Sequence, residues 1–115
     1  MGRLTTHVLD IAAGRPAAGL RITLTSLDGG AVLGRFVTNA DGRLDAPALE
    51  GEAFAAGRYE LLFAVGDYFR ARGVTGDGIA FLEEVPIRFG IADPAQHYHV
   101  PLLVSPWAFS TYRGS

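Results

Sequence analysis

Three histidines, one well-placed arginine and a dense run of functional groups at the end of the sequence hold most of the chemistry available to this chain. His7 has an imidazole that titrates near neutral pH and can act as a general base. On its own it reads more readily as an exposed or core-satisfied histidine. His97 and His99 stand two apart, the spacing that places side chains on one face of a strand. They could ligate a metal or divide acid and base roles, and a bare His-x-His without a third ligand makes the metal the weaker option. Arg43, directly after Asn39-Ala40-Asp41-Gly42, could clamp a carbonyl or an anion, although an arginine beside a turn is more often solvated. Tyr112-Arg113-Gly114-Ser115 brings together a phenol, a guanidinium, a hydroxyl and an α-carboxylate. The residues before it, Val104-Ser105-Pro106-Trp107-Ala108-Phe109-Ser110-Thr111, favour a half-buried strand. A tail that continues a strand is held in place, whereas terminal residues are usually frayed.

Composition narrows what these groups can do. The chain has 115 residues, a size suited to one domain over residues 1–115 with one core. Hydrophobic residues make up 49% and charged residues 19%, a globular balance. A net charge of -2 leaves no basic footprint for nucleic acid and no polybasic patch for anionic lipid. No apolar run approaches a membrane span, and the first residues lack a secretory h-region, so a cytoplasmic location is expected. Cysteine is absent, which removes disulfides and thiolate chemistry. All ten basic residues are arginine, which removes Schiff bases and a phosphate-loop lysine.

The elements that would position these groups are strands. Short apolar or alternating runs recur between turn signals at residues 4–11, 20–27, 32–38, 43–45, 59–65, 84–89, 97–104 and 107–113. That pattern predicts an all-β sandwich. Ala13-Gly14-Arg15-Pro16 reads as a turn, and so does Gly76-Asp77-Gly78. Residues 67–72 break the pattern as a short helix, with Asp67 near its start and Gly73 ending it. Glu83 and Glu84 point opposite ways if extended and read as surface residues. Strand parity separates Leu4, Thr6 and Val8 from Thr5, His7 and Leu9, and His97 and His99 from Tyr98 and Val100. Ser110 and Tyr112 share a face opposite Phe109, Thr111 and Arg113. Exposed edges and second apolar faces favour oligomers.

Taken together, Leu4-Thr5-Thr6-His7-Val8-Leu9-Asp10, Gly14-Arg15-Pro16-Ala17, Thr38-Asn39-Ala40-Asp41-Gly42-Arg43 and Gly66-Asp67-Tyr68-Phe69 form an ordered set of motifs. With His97-Tyr98-His99-Val100-Pro101-Leu102-Leu103 and the Ser110-Thr111-Tyr112-Arg113-Gly114-Ser115 ending, the chain resembles the transthyretin-like 5-hydroxyisourate hydrolases over essentially its whole length. The resemblance implies a transthyretin-like eight-stranded sandwich of two four-stranded sheets, with one short helix after the fifth strand. It implies a homotetramer, a dimer of dimers, with sites in the channel between dimers. The implied reaction is hydrolytic opening of the lactam of 5-hydroxyisourate in urate degradation, with no cofactor and no metal. The family's catalytic histidines and arginine fall on His7, His99 and Arg43. Substrate contacts fall on His7, Arg43, Tyr112 and Ser115, and His97 stays outside the catalytic set. Trp107, Ala108 and Phe109 depart from the family pattern, where tyrosine or histidine, glycine and tyrosine are more usual. The alternative is a transthyretin-type carrier of aromatic small molecules, which shares the fold and channel. Transthyretin has lysine at the position of His7 and threonine at that of His99, and it lacks the Tyr-Arg-Gly-Ser ending.

Overall fold

A computed structural model describes residues 1–114, so Ser115 lies outside the described residues. The strands are β1 (Leu4–Asp10), β2 (Arg15–Pro16), β3 (Arg21–Ser26), β4 (Val32–Val37), β5 (Gly57–Phe63), β6 (Val85–Ile91), β7 (Tyr98–Val104) and β8 (Phe109–Thr111). They form two four-stranded sheets, ordered β2-β1-β7-β8 and β4-β3-β5-β6. One helix, α1 (Val65–Ala71), follows β5, and a single 3-10 turn spans Gly51–Ala53.

Alternation decides which side chains fill the space between the sheets. In β1, Leu4, Thr6, Val8 and Asp10 are buried while Thr5, His7 and Leu9 are half-buried. In β7, Tyr98, Val100, Leu102 and Val104 face inward, and Pro101 is also buried. From the other sheet, Ile22, Leu24, Leu61, Phe63, Val85 and Ile87 complete the core. Complete burial of each such side chain contributes roughly 1.5–3 kcal/mol.

The pairing that brings the candidate histidines onto one sheet is parallel and remote. β1 lies beside β7 with Thr5 opposite His99 and His7 opposite Pro101. A tight hairpin cannot make that pairing. Here the whole second sheet intervenes between the two strands in the sequence. β8 then returns antiparallel to β7, with Ser110 opposite Leu103, and the same register continues to a bridge between His99 and Gly114.

The expected sandwich holds, but its eight strands are not the eight expected runs. Residues 43–45 do not form a strand. Arg43 makes one isolated bridge to His7, because the chain leaves the β1 edge at once to run along Leu44, Asp45, Ala46 and Pro47. The missing strand is replaced by Arg15–Pro16, expected as part of a turn, which pairs with Leu9 and Asp10. The helix begins at Val65 rather than Asp67, and Asp67 sits in its first turn. Gly73, with φ of 68°, follows its end. Glu83, expected as surface, accepts two hydrogen bonds from the Arg70 guanidinium at 2.8 and 3.1 Å and anchors the helix.

β1 also ends on a buried anchor. The Asp10 carboxylate, in a residue only 1% exposed, accepts hydrogen bonds from the Ala12 and Ala13 amides at 3.0 and 2.9 Å. Its second oxygen accepts the Tyr68 hydroxyl at 2.8 Å, tying α1 to β1. Burial, then the bond to Asp10, pushes the Tyr68 phenol up to about 12.

Candidate active site

The outward face of β1 and β7 forms the floor of a cleft of about 510 Å³. Thr5 and His99 stand side by side in it, with Arg3 and His97 beyond them. The segment from Arg43 to Pro47 makes the wall. It is fastened to β1 at both ends, by the His7–Arg43 bridge and by the Leu4–Leu49 bridge.

A local turn sets the position of Arg43. The Asn39 side-chain oxygen accepts the Asp41 and Arg43 amides at 2.9 and 3.1 Å, the self-bonding geometry that favours Asn in turns. Its amide group donates to Asp45 at 3.0 Å, fixing the next stretch of wall. Gly42 adopts φ of 73°, and a Cβ there would lie 2.4 Å from the Val8 carbonyl oxygen. Only glycine lets the turn press this closely on β1. Among the described residues the exposed Arg43 guanidinium has no hydrogen-bond or ion-pair partner, while Arg58, Arg70 and Arg88 each have a carboxylate.

The two histidines are held differently. His7 Nε2 lies 2.9 Å from the Asp41 carbonyl oxygen. A carbonyl can only accept, so Nε2 carries the proton and Nδ1 keeps its lone pair. His99 Nδ1 lies 2.8 Å from the Thr5 hydroxyl oxygen. Gly114 covers another edge of that ring: a Cβ at Gly114 would stand 2.5 Å from His99 Cδ2. The Gly114 amide donates to the His99 carbonyl at 2.8 Å, so the tail is stitched directly over this imidazole.

Both imidazoles have their pKa lowered. For His7 burial is the largest cause and the Arg43 charge the next, opposed by the bond to Asp41 and the Asp41 charge. For His99 burial again leads, followed by the charges of Arg43 and His7, with hydrogen bonding to Thr5 opposing them. Both rings are therefore neutral at pH 7 and have a lone pair to offer.

Of the residues singled out from the sequence, His99 and Arg43 line the cleft together. His7 sits one pair further along the same face, beside Arg43 but outside the lining. His97 lies in the cleft with its side chain exposed. Tyr112 follows β8 and is 60% exposed; it borders a separate hollow of about 250 Å³ with Thr111, Arg113 and residues of β6. Ser115 lies outside the described residues. Among the described residues no three His, Cys, Asp or Glu side chains converge as metal ligands would. Sequence reading missed Thr5 and Asn39 as supports of the site, and took Gly114 only as part of the tail. The Asx-turn signal at Asn39 was present, whereas the contacts of Thr5 and Gly114 with His99 depend on strand pairing.

These features define a class: a small two-sheet β-sandwich whose outer sheet face carries neutral histidines beside a guanidinium. The chain belongs to the HIUase/Transthyretin family, whose model matches residues 4–114. It is 61% identical over 116 residues to 5-hydroxyisourate hydrolase 2 of Rhizobium meliloti strain 1021, covering 99% of this chain and 97% of that protein. The crystal structure of an (S)-allantoin synthase superposes with a TM-score of 0.94 at 53% identity, covering 99% of this chain; the chain spans only 44% of that synthase. Klebsiella pneumoniae 5-hydroxyisourate hydrolase superposes at 0.84 with 37% identity and full coverage of both chains. Sea bream transthyretin in complex with thyroxine superposes at 0.86 but is 27% identical, covering 97% of this chain and 94% of the transthyretin.

Proposed function

We infer that this chain is a 5-hydroxyisourate hydrolase, with His7, His99 and Arg43 as its catalytic residues. The observation that carries the residue assignment is the meeting, on one sheet face, of the Arg43 guanidinium, which has no partner among the described residues, with two imidazoles whose pKa burial lowers. The choice of substrate rests on the hydrolases it resembles at 61% identity across nearly their whole length. A transthyretin-type carrier is the weaker reading, because the transthyretin neighbour is far less similar at 27%.

In the reaction, water attacks the ring lactam carbonyl of 5-hydroxyisourate while a histidine lone pair takes its proton. The carbon–nitrogen bond then breaks, the proton passes to the departing nitrogen, and the ring opens to the carboxylate of 2-oxo-4-hydroxy-4-carboxy-5-ureidoimidazoline. General-base assistance of this kind supplies about 10²- to 10⁴-fold in rate. Arg43 binds the oxygen-rich substrate and stabilises the negative charge that builds on the attacked carbonyl oxygen. The resemblance also assigns substrate contacts to Tyr112 and Ser115 of the tail, although Tyr112 borders a hollow separate from the cleft. No cofactor enters this scheme.

The protein acts as a single domain over residues 1–115 and as a homotetramer built as a dimer of dimers. Assembly is supported by the large apolar side chains left in solvent, with Phe81 72% and Trp107 70% exposed and their rings 6.0 Å apart. The cysteine-free chain needs no oxidising compartment, which fits the cytoplasm. No helix of the described residues is long and apolar enough to cross a membrane.

A urate oxidase-coupled absorbance assay tests the activity. The folded protein should speed the loss of 5-hydroxyisourate above its spontaneous decay, and no acceleration would return the question to the carrier. His7→Ala and His99→Ala should each lower kcat by about 10² or more while the tetramer persists on a sizing column. Near-wild-type rates in both would remove the histidines from the mechanism.

A further inference from the structure

Thr5 reaches the cleft by an accident of pairing that only the parallel β1–β7 register produces. It stands directly opposite His99, and both side chains project from the outward face of the sheet. Thr6, next to it, turns into the core and gives its hydroxyl to the Val100 carbonyl at 2.7 Å. Two adjacent threonines therefore do different work: one closes a buried main-chain bond, and the other meets an imidazole.

The ring of His99 is enclosed on two of its edges. Nδ1 faces the Thr5 hydroxyl at 2.8 Å, and the Cδ2 edge lies under Gly114. Nε2 is the ring nitrogen with no protein partner among the described residues, and His99 lines the cleft. An imidazole can present either a lone pair or an N–H at that nitrogen, and its partner at Nδ1 decides which.

We propose that Thr5 is a positioning residue that holds His99 as its Nδ1–H tautomer, leaving the Nε2 lone pair turned to the cleft as the proton acceptor for the attacking water. In this arrangement Nδ1–H donates to the Thr5 hydroxyl oxygen. One further feature favours it over the reverse. The Arg43 guanidinium lines the same cleft, and a fixed positive charge favours a lone pair pointing toward it over an N–H. His7 is locked the other way, as its Nε2–H tautomer by the Asp41 carbonyl, so the two histidines present different nitrogens.

This proposal rests on the hydrolase reading for its kinetic consequence but not for its structural one. Histidine ¹⁵N spectra of the substrate-free protein at neutral pH should show His99 with a protonated Nδ1 and an unprotonated Nε2. Thr5→Val keeps the shape and removes the acceptor. It should lower kcat roughly tenfold with little change in KM, and should mix the two His99 tautomers. Thr5→Ser restores the hydroxyl and should recover both readouts. A wild-type spectrum with the proton on Nε2 overturns the proposal, whatever the activity. A Thr5→Val protein that keeps wild-type kcat, or a Thr5→Ser protein as slow as Thr5→Val, overturns it too. Absence of hydrolysis by the wild-type protein would instead count against the hydrolase reading and leave the tautomer result standing.

Discussion

Adding one methyl group at Gly114 tests whether the tail is part of the catalytic apparatus. On the native backbone, the new Cβ would stand 2.5 Å from His99 Cδ2 and 3.1 and 3.2 Å from Cγ and Cβ. Carbon atoms prefer separations of about 3.5–4.0 Å, so the ring or the tail must move by about 1 Å. Backbone strain plays no part, because Gly114 is not among the glycines with positive φ. Two hydrogen bonds resist the two possible movements. Shifting the ring stretches the 2.8 Å contact with Thr5, and shifting the tail stretches the 2.8 Å amide bond to the His99 carbonyl. A displacement of about 1 Å at a catalytic group can lower the rate by about 10². The cost to folding should be small, within about 1 kcal/mol, because the segment is peripheral and can move outward. The expected result for Gly114→Ala is therefore a loss of about 10² in kcat in the coupled assay, with a nearly unchanged melting temperature. A variant with wild-type kcat would refute the reasoning, since it would mean that the His99 imidazole works without the tail seated against it.

Removing the charge in Arg43→Ala should lower kcat and also move the acid limb of the pH–rate profile to higher pH. The Arg43 charge lowers the pKa of both histidines, so without it they protonate, and lose their lone pairs, at a higher pH. A rate profile that keeps its acid limb in place would separate Arg43 from the histidines. Tyr68→Phe removes a 2.8 Å hydrogen bond to the buried Asp10 carboxylate. It should cost about 1.5–3 kcal/mol in urea unfolding while the folded protein keeps its kcat. Gly42→Ala forces a side chain into φ of 73° and against the Val8 carbonyl. It should cost at least about 1–2 kcal/mol in urea unfolding and weaken substrate binding by displacing Arg43, read as a raised KM.

Much of the site was legible before any tertiary contact was known, and the reason is local geometry. Successive residues of a strand point to opposite faces, so parity alone separated His7 and His99 from the core-facing Val8 and Val100. The Asn39-Ala40-Asp41-Gly42 turn is local in the same way, because Asn39 bonds amides only two and four residues ahead. Element identities at the edges were less legible. Arg15–Pro16 counts as a strand only because β1 lies beside it, and residues 43–45 fail to be one because the chain turns off to wall the cleft. Glu83 was hidden for the same reason, since its partner Arg70 belongs to another element.

The sequence by itself determined the residue types, the faces and the turn that holds Arg43, since each follows from bond geometry within a few neighbouring residues. The tertiary structure alone decided which strands lie together. It placed Thr5 against His99 across 94 residues and laid Gly114 over the same ring. Backbone donors and acceptors are alike in every strand, so no short stretch of sequence names its partner. That choice is made by the collapse of both sheets around one core, and with it the surroundings of the His99 ring.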